Sequence, residues 1–208
     1  MSSQCPHTFQ AKNGLPVWIR PMRADDTDNL IDIFEHLSPE SRYLRFHEPL
    51  ISPDPELVRR EASRMATTPP HRGRGWLAFA DLPDQPCAPI GGARYVRLSE
   101  GATTAEVALS VRDDLQNQGI GKELLRLLLE EAQADGIETL IAIVQANNRA
   151  VMNLLAESPF PVERSTRRGE TYVKVRLTPT APTTGRREAV AEIEKRSDEA
   201  SPDSPPER

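Results

Sequence analysis

The clearest chemical signal in the chain is the run Gln116-Asn117-Gln118-Gly119-Ile120-Gly121-Lys122. It follows a strand-like segment, Ala105-Glu106-Val107-Ala108-Leu109-Ser110-Val111, and opens a helix expected to begin near Lys122. Gly119 and Gly121 allow the backbone to turn sharply with no side chain in the way. The first N–H groups of a helix have no acceptor inside the helix, and the helix dipole makes that end electropositive. Strand, glycine turn and helix N-terminus together cradle phosphate oxygens, which is the chemistry of a pyrophosphate-bearing cofactor. The spacing is Q-x-x-G-x-G. It is neither the G-x-G-x-x-G of a dinucleotide site nor the G-x-x-x-x-G-K-S/T of a P-loop. Taken alone, the run also fits an ordinary strand-to-helix turn.

The flanking elements must position that turn. Val17 to Met22 alternates as a short strand. Leu30, Ile33, Phe34 and Leu37 recur at helical spacing behind polar capping residues, so a helix starts at Asp25 or Asp26 and ends near His36. Ser38-Pro39 and Asp54-Pro55 each place a capping residue before a proline suited to the first helical position. Two further helices follow from these signals, the second reaching Met65. Gly75–Ala80 and Ile90–Leu98 read as strands around a proline-rich turn, Asp81 to Pro89. With the strand at 105–111 they make an antiparallel meander, because the connections are too short for a crossover. Beyond the glycine turn, Leu124, Leu125, Leu128, Leu129 and Ala132 form an apolar stripe that Gly136 stops. Thr139 to Val144 is almost wholly apolar, the pattern of a buried parallel strand. Asn147 to Ala150 open a helix running to Glu157, and two short strands, 162–166 and 170–177, flank an Arg167-Arg168-Gly169 turn.

Bulk properties narrow the function classes. The chain has 208 residues, a formal net charge of −5 and a sequence pI near 5.5. That length suits one domain, and the negative charge argues against nucleic acid or an anionic membrane as the main partner. No apolar run is long enough to span a bilayer, and Met1 to Lys12 lacks the apolar centre of a signal peptide. Cys5 and Cys87 have no metal-ligand spacing, so neither a disulfide framework nor a metal site is expected. A soluble, cytoplasmic protein is the expectation. Its organisation reads as a flexible lead-in at 1–14, a folded domain at 15–178 and a disordered tail at 179–208. Pro179 to Arg208 has no aromatic residue and is rich in Pro, Ser, Thr, Glu and Arg, too little apolar surface to offset the entropy of ordering. The oligomeric state stays open, a homodimer included.

The order strand, helix, helix, meander, glycine turn, helix, parallel strand, helix and hairpin, joined to the Q-x-x-G-x-G turn, resembles the GNAT N-acetyltransferases. The resemblance implies an α/β fold with a mixed sheet, the acyl-CoA N-acyltransferase fold, with acetyl-CoA as co-substrate. In that fold the strands corresponding to 105–111 and 139–144 splay apart and the pantetheine arm enters the gap. Carried over, the arm meets backbone groups of Leu109, Ser110 and Val111. The pyrophosphate meets the amides of Asn117, Gln118, Gly119, Ile120, Gly121 and Lys122, with Gln116 as the motif's first residue. Asn148 matches the family's asparagine that contacts pantetheine. Arg20-Pro21-Met22-Arg23-Ala24-Asp25-Asp26 and Leu37-Ser38-Pro39-Glu40-Ser41-Arg42-Tyr43-Leu44-Arg45-Phe46 resemble, more narrowly, the GNAT domain of bacterial protein lysine acetyltransferases. Those enzymes often acetylate acyl-CoA synthetases.

N-acetylation needs an amine that has lost its proton, and a lysine at pH 7 is almost wholly ammonium. A general base is therefore useful. In the enzymes it resembles, the glutamate of the matching Ala-Glu-x-Ala segment has this role, which falls on Glu106; a charged residue on a solvated strand face is the plainer alternative. Many GNAT enzymes supply a general acid as a tyrosine on the helix after the parallel strand. The corresponding helix here has Leu154-Leu155 and no tyrosine, and it ends in Pro159-Phe160 rather than the frequent Gly-Phe. Arg42, Tyr43 and Arg45 are candidates to line the acceptor side or simply a solvated helix face. His71, Arg72 and Arg74 form a basic loop, His36 and His47 read as structural, and Asp113 and Asp114, which follow the strand, are candidates to repel or position a cationic amine. Three activities fit: acetylation of a protein lysine, acetylation of a small amine, or acyl-CoA sensing without catalysis. A bulky side chain at Gly119 or Gly121 is expected to abolish cofactor binding in all three.

Overall fold

The computed structural model describes residues 6–177, so the expected tail at 179–208 lies outside the described residues. The strands are β1 (His7–Gln10), β2 (Pro16–Pro21), β3 (Gly73–Leu82), β4 (Gln85–Arg97), β5 (Thr104–Val111), β6 (Thr139–Gln145), β7 (Val162–Arg167) and β8 (Glu170–Arg176). The helices are α1 (Thr27–Glu35), α2 (Pro39–Phe46), α3 (Pro55–Ala66), α4 (Ile120–Ala134) and α5 (Arg149–Ala156), with a 3₁₀ turn at Asp113–Leu115. All strands join one sheet in the order β1-β2-β3-β4-β5-β6-β8-β7. Every neighbouring pair is antiparallel except β5 with β6, which are parallel as the helical crossover between them requires.

Alternation along the strands sends side chains to two faces. On one face Ala78, Ala80, Ala93 and Tyr95 pack with Leu124, Leu128 and Ala132 of α4 in the main core cluster. Leu124 and Leu128 are fully buried, each contributing roughly 1.5–3 kcal/mol of transfer free energy. On the other face Leu77 and Phe79 meet Ile33 of α1, with Trp18, Met22 and Leu30 around them. Three helix starts use the expected caps. Ser38 Oγ accepts from the Ser41 N–H at 3.1 Å, Asp54 Oδ1 from Glu56 at 3.0 Å, and Asn148 Oδ1 from Val151 at 3.1 Å. Asp26 departs from this pattern. It precedes α1, yet its carboxylate accepts from Arg20 at 2.6 and 2.8 Å, from the Arg23 N–H at 2.6 Å and from Asn29 at 2.7 Å. Burial pushes the Asp26 carboxyl up, but these donors outweigh it and hold it below its ordinary value.

Two expectations are corrected. The segment 1–14 is not wholly a loose lead-in: His7–Gln10 forms β1, paired from His7↔Ile19 to Gln10↔Pro16. Four residues are too few to show a period, but Phe9 packs against the core and the β2 edge satisfies the backbone. The proline-rich turn at 81–89 is also shorter than expected. β3 and β4 run into it and pair as far as Leu82↔Gln85. Register shifts at Ala78/Phe79 and Ala80/Leu82 accompany Pro86 and Pro89, which have no N–H to give to a ladder.

Candidate active site

The parallel ladder between β5 and β6 has three pairs, Thr104↔Thr139, Ala105↔Leu140 and Glu106↔Ile141, and then stops. β5 continues to Val111 beside β4, while β6 continues to Gln145 beside β8. The strands thus part just after Glu106 and leave an open V whose walls are Val107–Val111 and Ala142–Gln145. Leu109 and Ser110 are half-buried on one wall, and Ile143 is 39 % exposed on the other.

The glycine turn stands at the mouth of the V. The chain leaves β5, makes the 3₁₀ turn and reverses through Asn117 (φ 61°) and Gly119 (φ 90°), both left-handed. α4 then begins at Ile120, two residues earlier than expected, with Gly119 as its N-cap. A glycine cap has no side chain to satisfy the helix's first amides, unlike Ser, Thr, Asp or Asn. Among the described residues no acceptor is bonded to the N–H groups of Asn117, Gln118, Gly119, Ile120, Gly121 or Lys122. A row of open amides on a positive helix end fits a phosphate group. The two glycines differ. A Cβ on Gly119 would meet nothing within 4 Å, so only its backbone angle demands glycine. A Cβ on Gly121 would touch Leu109 and Leu154 at 3.6 Å and Val111 at 3.7 Å, ordinary contact distances.

Several side chains fix the turn. Gln116 Nε2 donates to Asp113 Oδ1 at 2.9 Å and to the Val111 carbonyl at 3.3 Å, so its amide braces the loop. Asp113 Oδ2 accepts from the Ser38 N–H at 3.0 Å, and the Asp113 N–H donates to the His36 carbonyl at 3.2 Å. Asp113 therefore ties the α1–α2 connection to the cradle, and Asp114 pairs with Arg112 at 3.0 Å. Both carboxylates have partners within the protein, while Asp114 stays more than half exposed. Lys122 reaches Glu157 beyond α5 at 2.6 Å, an exposed pair. Asn148 spends Oδ1 on its cap, and its Nδ2 has no acceptor among the described residues.

Glu106 is exposed at the root of the V, on the same β5 face as Ala108 and Ser110. Arg94 of β4 lies opposite Ala108, while Val96 lies opposite Glu106. Arg45 of α2 and Arg94 both feel the Glu106 charge. Burial, then the charge of Arg94, pulls the Arg45 guanidinium down to about 10, with Glu106 opposing. Burial and then Arg64 lower Arg94. Arg94 was not singled out in the sequence, because only the β4–β5 register reveals that it shares a face with Glu106. His47, read as structural, sits 3.1 Å from Glu170 and 3.2 Å from Gln145. Arg74, expected in the basic loop, stands in β3 opposite Tyr95 and pairs with Glu131 at 3.1 Å.

The family model for the acetyltransferase (GNAT) domain matches residues 17–160. The chain belongs to the GNAT acetyltransferase family. Among its relatives, acetyltransferase PA5475 of Pseudomonas aeruginosa is 26% identical over 152 residues, spanning 73% of this chain and 78% of that protein. The GNAT domain of S. lividans PAT shares the fold with a TM-score of 0.67 at 24% identity, over 81% of this chain and 95% of that one. A putative acetyltransferase, yncA of Salmonella typhimurium, solved with its cofactor acetyl-CoA, superposes with a TM-score of 0.57 at 17% identity, over 81% and 99% of the two chains. The mixed sheet and five helices of the described residues are those of the GNAT fold, and the chain is an N-acetyltransferase. Among the described residues, no group of His, Cys, Asp and Glu is clustered to hold a metal, and no helix is long and apolar enough to cross a membrane.

Proposed function

We propose that this GNAT enzyme transfers an acetyl group from acetyl-CoA directly to the ε-amine of a protein lysine. The observation that carries the reading is the parting of β5 from β6 immediately after Glu106, with six open amides at the mouth of the gap. These residues fit the co-substrate: Asn117 to Lys122 would hold its pyrophosphate, the free edge of β5 at Leu109, Ser110 and Val111 its pantetheine arm, and Asn148 Nδ2 a carbonyl of that arm. Acetyl-CoA supplies the acetyl thioester. The protein does the rest. Glu106, at the root of the gap, takes a proton from the acceptor ammonium, directly or through a water, and leaves a nucleophilic amine. A backbone N–H on the β5 edge polarises the carbonyl under attack. α5 carries no tyrosine, so the departing thiolate takes its proton from water.

The protein-lysine acceptor is supported by the likeness of the Arg20–Asp26 and Leu37–Phe46 stretches to the lysine acetyltransferases they resemble. The test is calorimetric titration with acetyl-CoA, joined to a thiol-release assay offering acyl-CoA synthetases and simple amines. Binding with thiol release on a protein acceptor is expected. Release only with small amines would move the acceptor class, binding without release would point to a sensor, and no binding would remove the cradle.

A further inference from the structure

Arg94 of β4 shares a sheet face with Glu106, and α2, which carries Arg45, packs against β5; the Glu106 charge favours the charged form of both guanidinium groups. Arg20, Arg74, Arg97 and Arg112 each form an ion pair with a carboxylate. Among the described residues Arg45 and Arg94 form none within 4.0 Å. Arg94 has only a neutral partner, Thr68 Oγ1 at 3.3 Å. Arg45 lies over the Phe46 ring, 4.8 Å from its centroid. Both arginines are half-buried, and a cation that has lost part of its hydration is stabilised by a counter-ion. One carboxylate serving two such cations leaves one positive charge unmatched.

Position adds to charge. Arg94 lies opposite Ala108, two residues along β5 from Glu106 and on the same face. A strand rises about 3.3 Å per residue, so the two points are about 7 Å apart, a span one small acceptor can bridge. Arg94 also lines a cavity of about 170 Å³ with Met22, Met65, Trp76 and Tyr95. The only carboxylate in that lining, Glu131, is already paired with Arg74.

We propose that Arg94 and Arg45 form a carboxylate-binding subsite beside Glu106, so that preferred acceptors carry a carboxylate close to the amine that is acetylated. This deepens the transferase reading and rests on its placing the amine at Glu106. The carboxylate has two sources: that of a free amino acid, or an Asp or Glu side chain flanking lysine in a polypeptide. Matched pairs distinguish them. One arm compares amino acids with their amides, and the other compares lysine peptides carrying flanking Glu with the same peptides carrying Gln. The wild-type enzyme is expected to favour the acid in one arm by about 10- to 100-fold in kcat/KM, the scale of a charge-assisted hydrogen bond. Arg94→Gln or Arg45→Gln is expected to shrink that ratio to about threefold or less, while the affinity for acetyl-CoA holds. A wild-type ratio near one in both arms overturns the subsite, as does a ratio that survives both substitutions. If no acceptor is acetylated, the same pairs are titrated calorimetrically into the protein with CoA present. Tighter binding of the acid then sustains the subsite while the transferase reading fails, and equal binding overturns the subsite.

Discussion

Gly119 and Gly121 occupy equivalent-looking places in the Q-x-x-G-x-G run, yet alanine at each should behave differently. Gly119 has φ 90° and open space where a Cβ would go. Alanine there must either hold a left-handed backbone, at a cost of about 1–2 kcal/mol, or relax out of it. Relaxation rotates the amides of Asn117 to Gly119 away from a bound phosphate, and each charge-assisted hydrogen bond so lost is worth roughly 1.5–3 kcal/mol. Gly119→Ala is therefore expected to weaken CoA binding by about tenfold or more and to lower Tm by roughly 2–8 °C. Gly121 lies inside α4, and its Cβ would rest at ordinary contact on Leu109, Leu154 and Val111. Alanine in a helix gains about 0.5–1 kcal/mol over glycine, so Gly121→Ala should keep or raise Tm and change CoA affinity by less than about threefold. Calorimetric titration with CoA, beside a thermal melt of each variant, reads both quantities. Titration with pantetheine, which lacks the pyrophosphate, isolates the cradle, because its affinity should not fall in Gly119→Ala. Full CoA affinity in Gly119→Ala would remove the cradle. An equal loss in Gly121→Ala would mean that side-chain bulk, not backbone angle, sets the requirement.

Three further outcomes are expected. Glu106→Gln should bind acetyl-CoA normally but turn over about 10²–10⁴-fold more slowly at neutral pH, with the deficit narrowing toward pH 9 as free amine becomes plentiful; unchanged turnover at pH 7 would remove Glu106 from the chemistry. Asn148→Asp retains a capping oxygen but loses the Nδ2 donor, so it should keep Tm while CoA affinity falls, whereas Asn148→Ala should also cost about 1 kcal/mol in denaturant unfolding. The Asp26 carboxyl is held below its ordinary value, so its contribution to stability is present above about pH 4 and lost as the pH falls through the folded-state pKa. Asp26→Asn should therefore be destabilised at pH 7 and converge with the wild type in strongly acidic denaturation experiments, and a constant difference across pH would refute the ion-pair account.

What the sequence disclosed was mostly local. Ser38-Pro39, Asp54-Pro55 and Asn148 mark helix starts because a capping oxygen serves amides two or three residues away. The glycine turn was readable for the same reason, since backbone angles belong to the residues that adopt them. What stayed hidden was set by partners distant in the chain. β1 has too few residues to show a period and is defined by the β2 edge. Asp113 resembles a charge near the site, but its role depends on Ser38, which only the fold brings to it. Arg94 gains its meaning from Ala108 and Glu106, through a β4–β5 register that no periodicity specifies.

β6 shows where a pattern gives a correct signal with an incomplete cause. Its apolar run, Thr139 to Val144, predicts a strand covered on all sides, and Leu140 and Val144 are indeed buried. Yet β5 pairs with only its first three residues, and Ile143 remains 39 % exposed. Leaving that part of the side chain in water forgoes roughly 1 kcal/mol of burial. Periodicity reports that a position is apolar, without saying whether protein or ligand covers it. A pantetheine arm entering the V would shield that wall and pair with the β5 edge, which ties the apolar run to the proposed co-substrate. On that account CoA binding should carry a negative heat-capacity change. Ile143→Ser should reduce its magnitude and weaken binding, beside a modest fall in the melting temperature of the free protein, because the side chain is already part-buried before the ligand arrives. A fall in melting temperature with no change in CoA binding would place the function of Ile143 in the core instead.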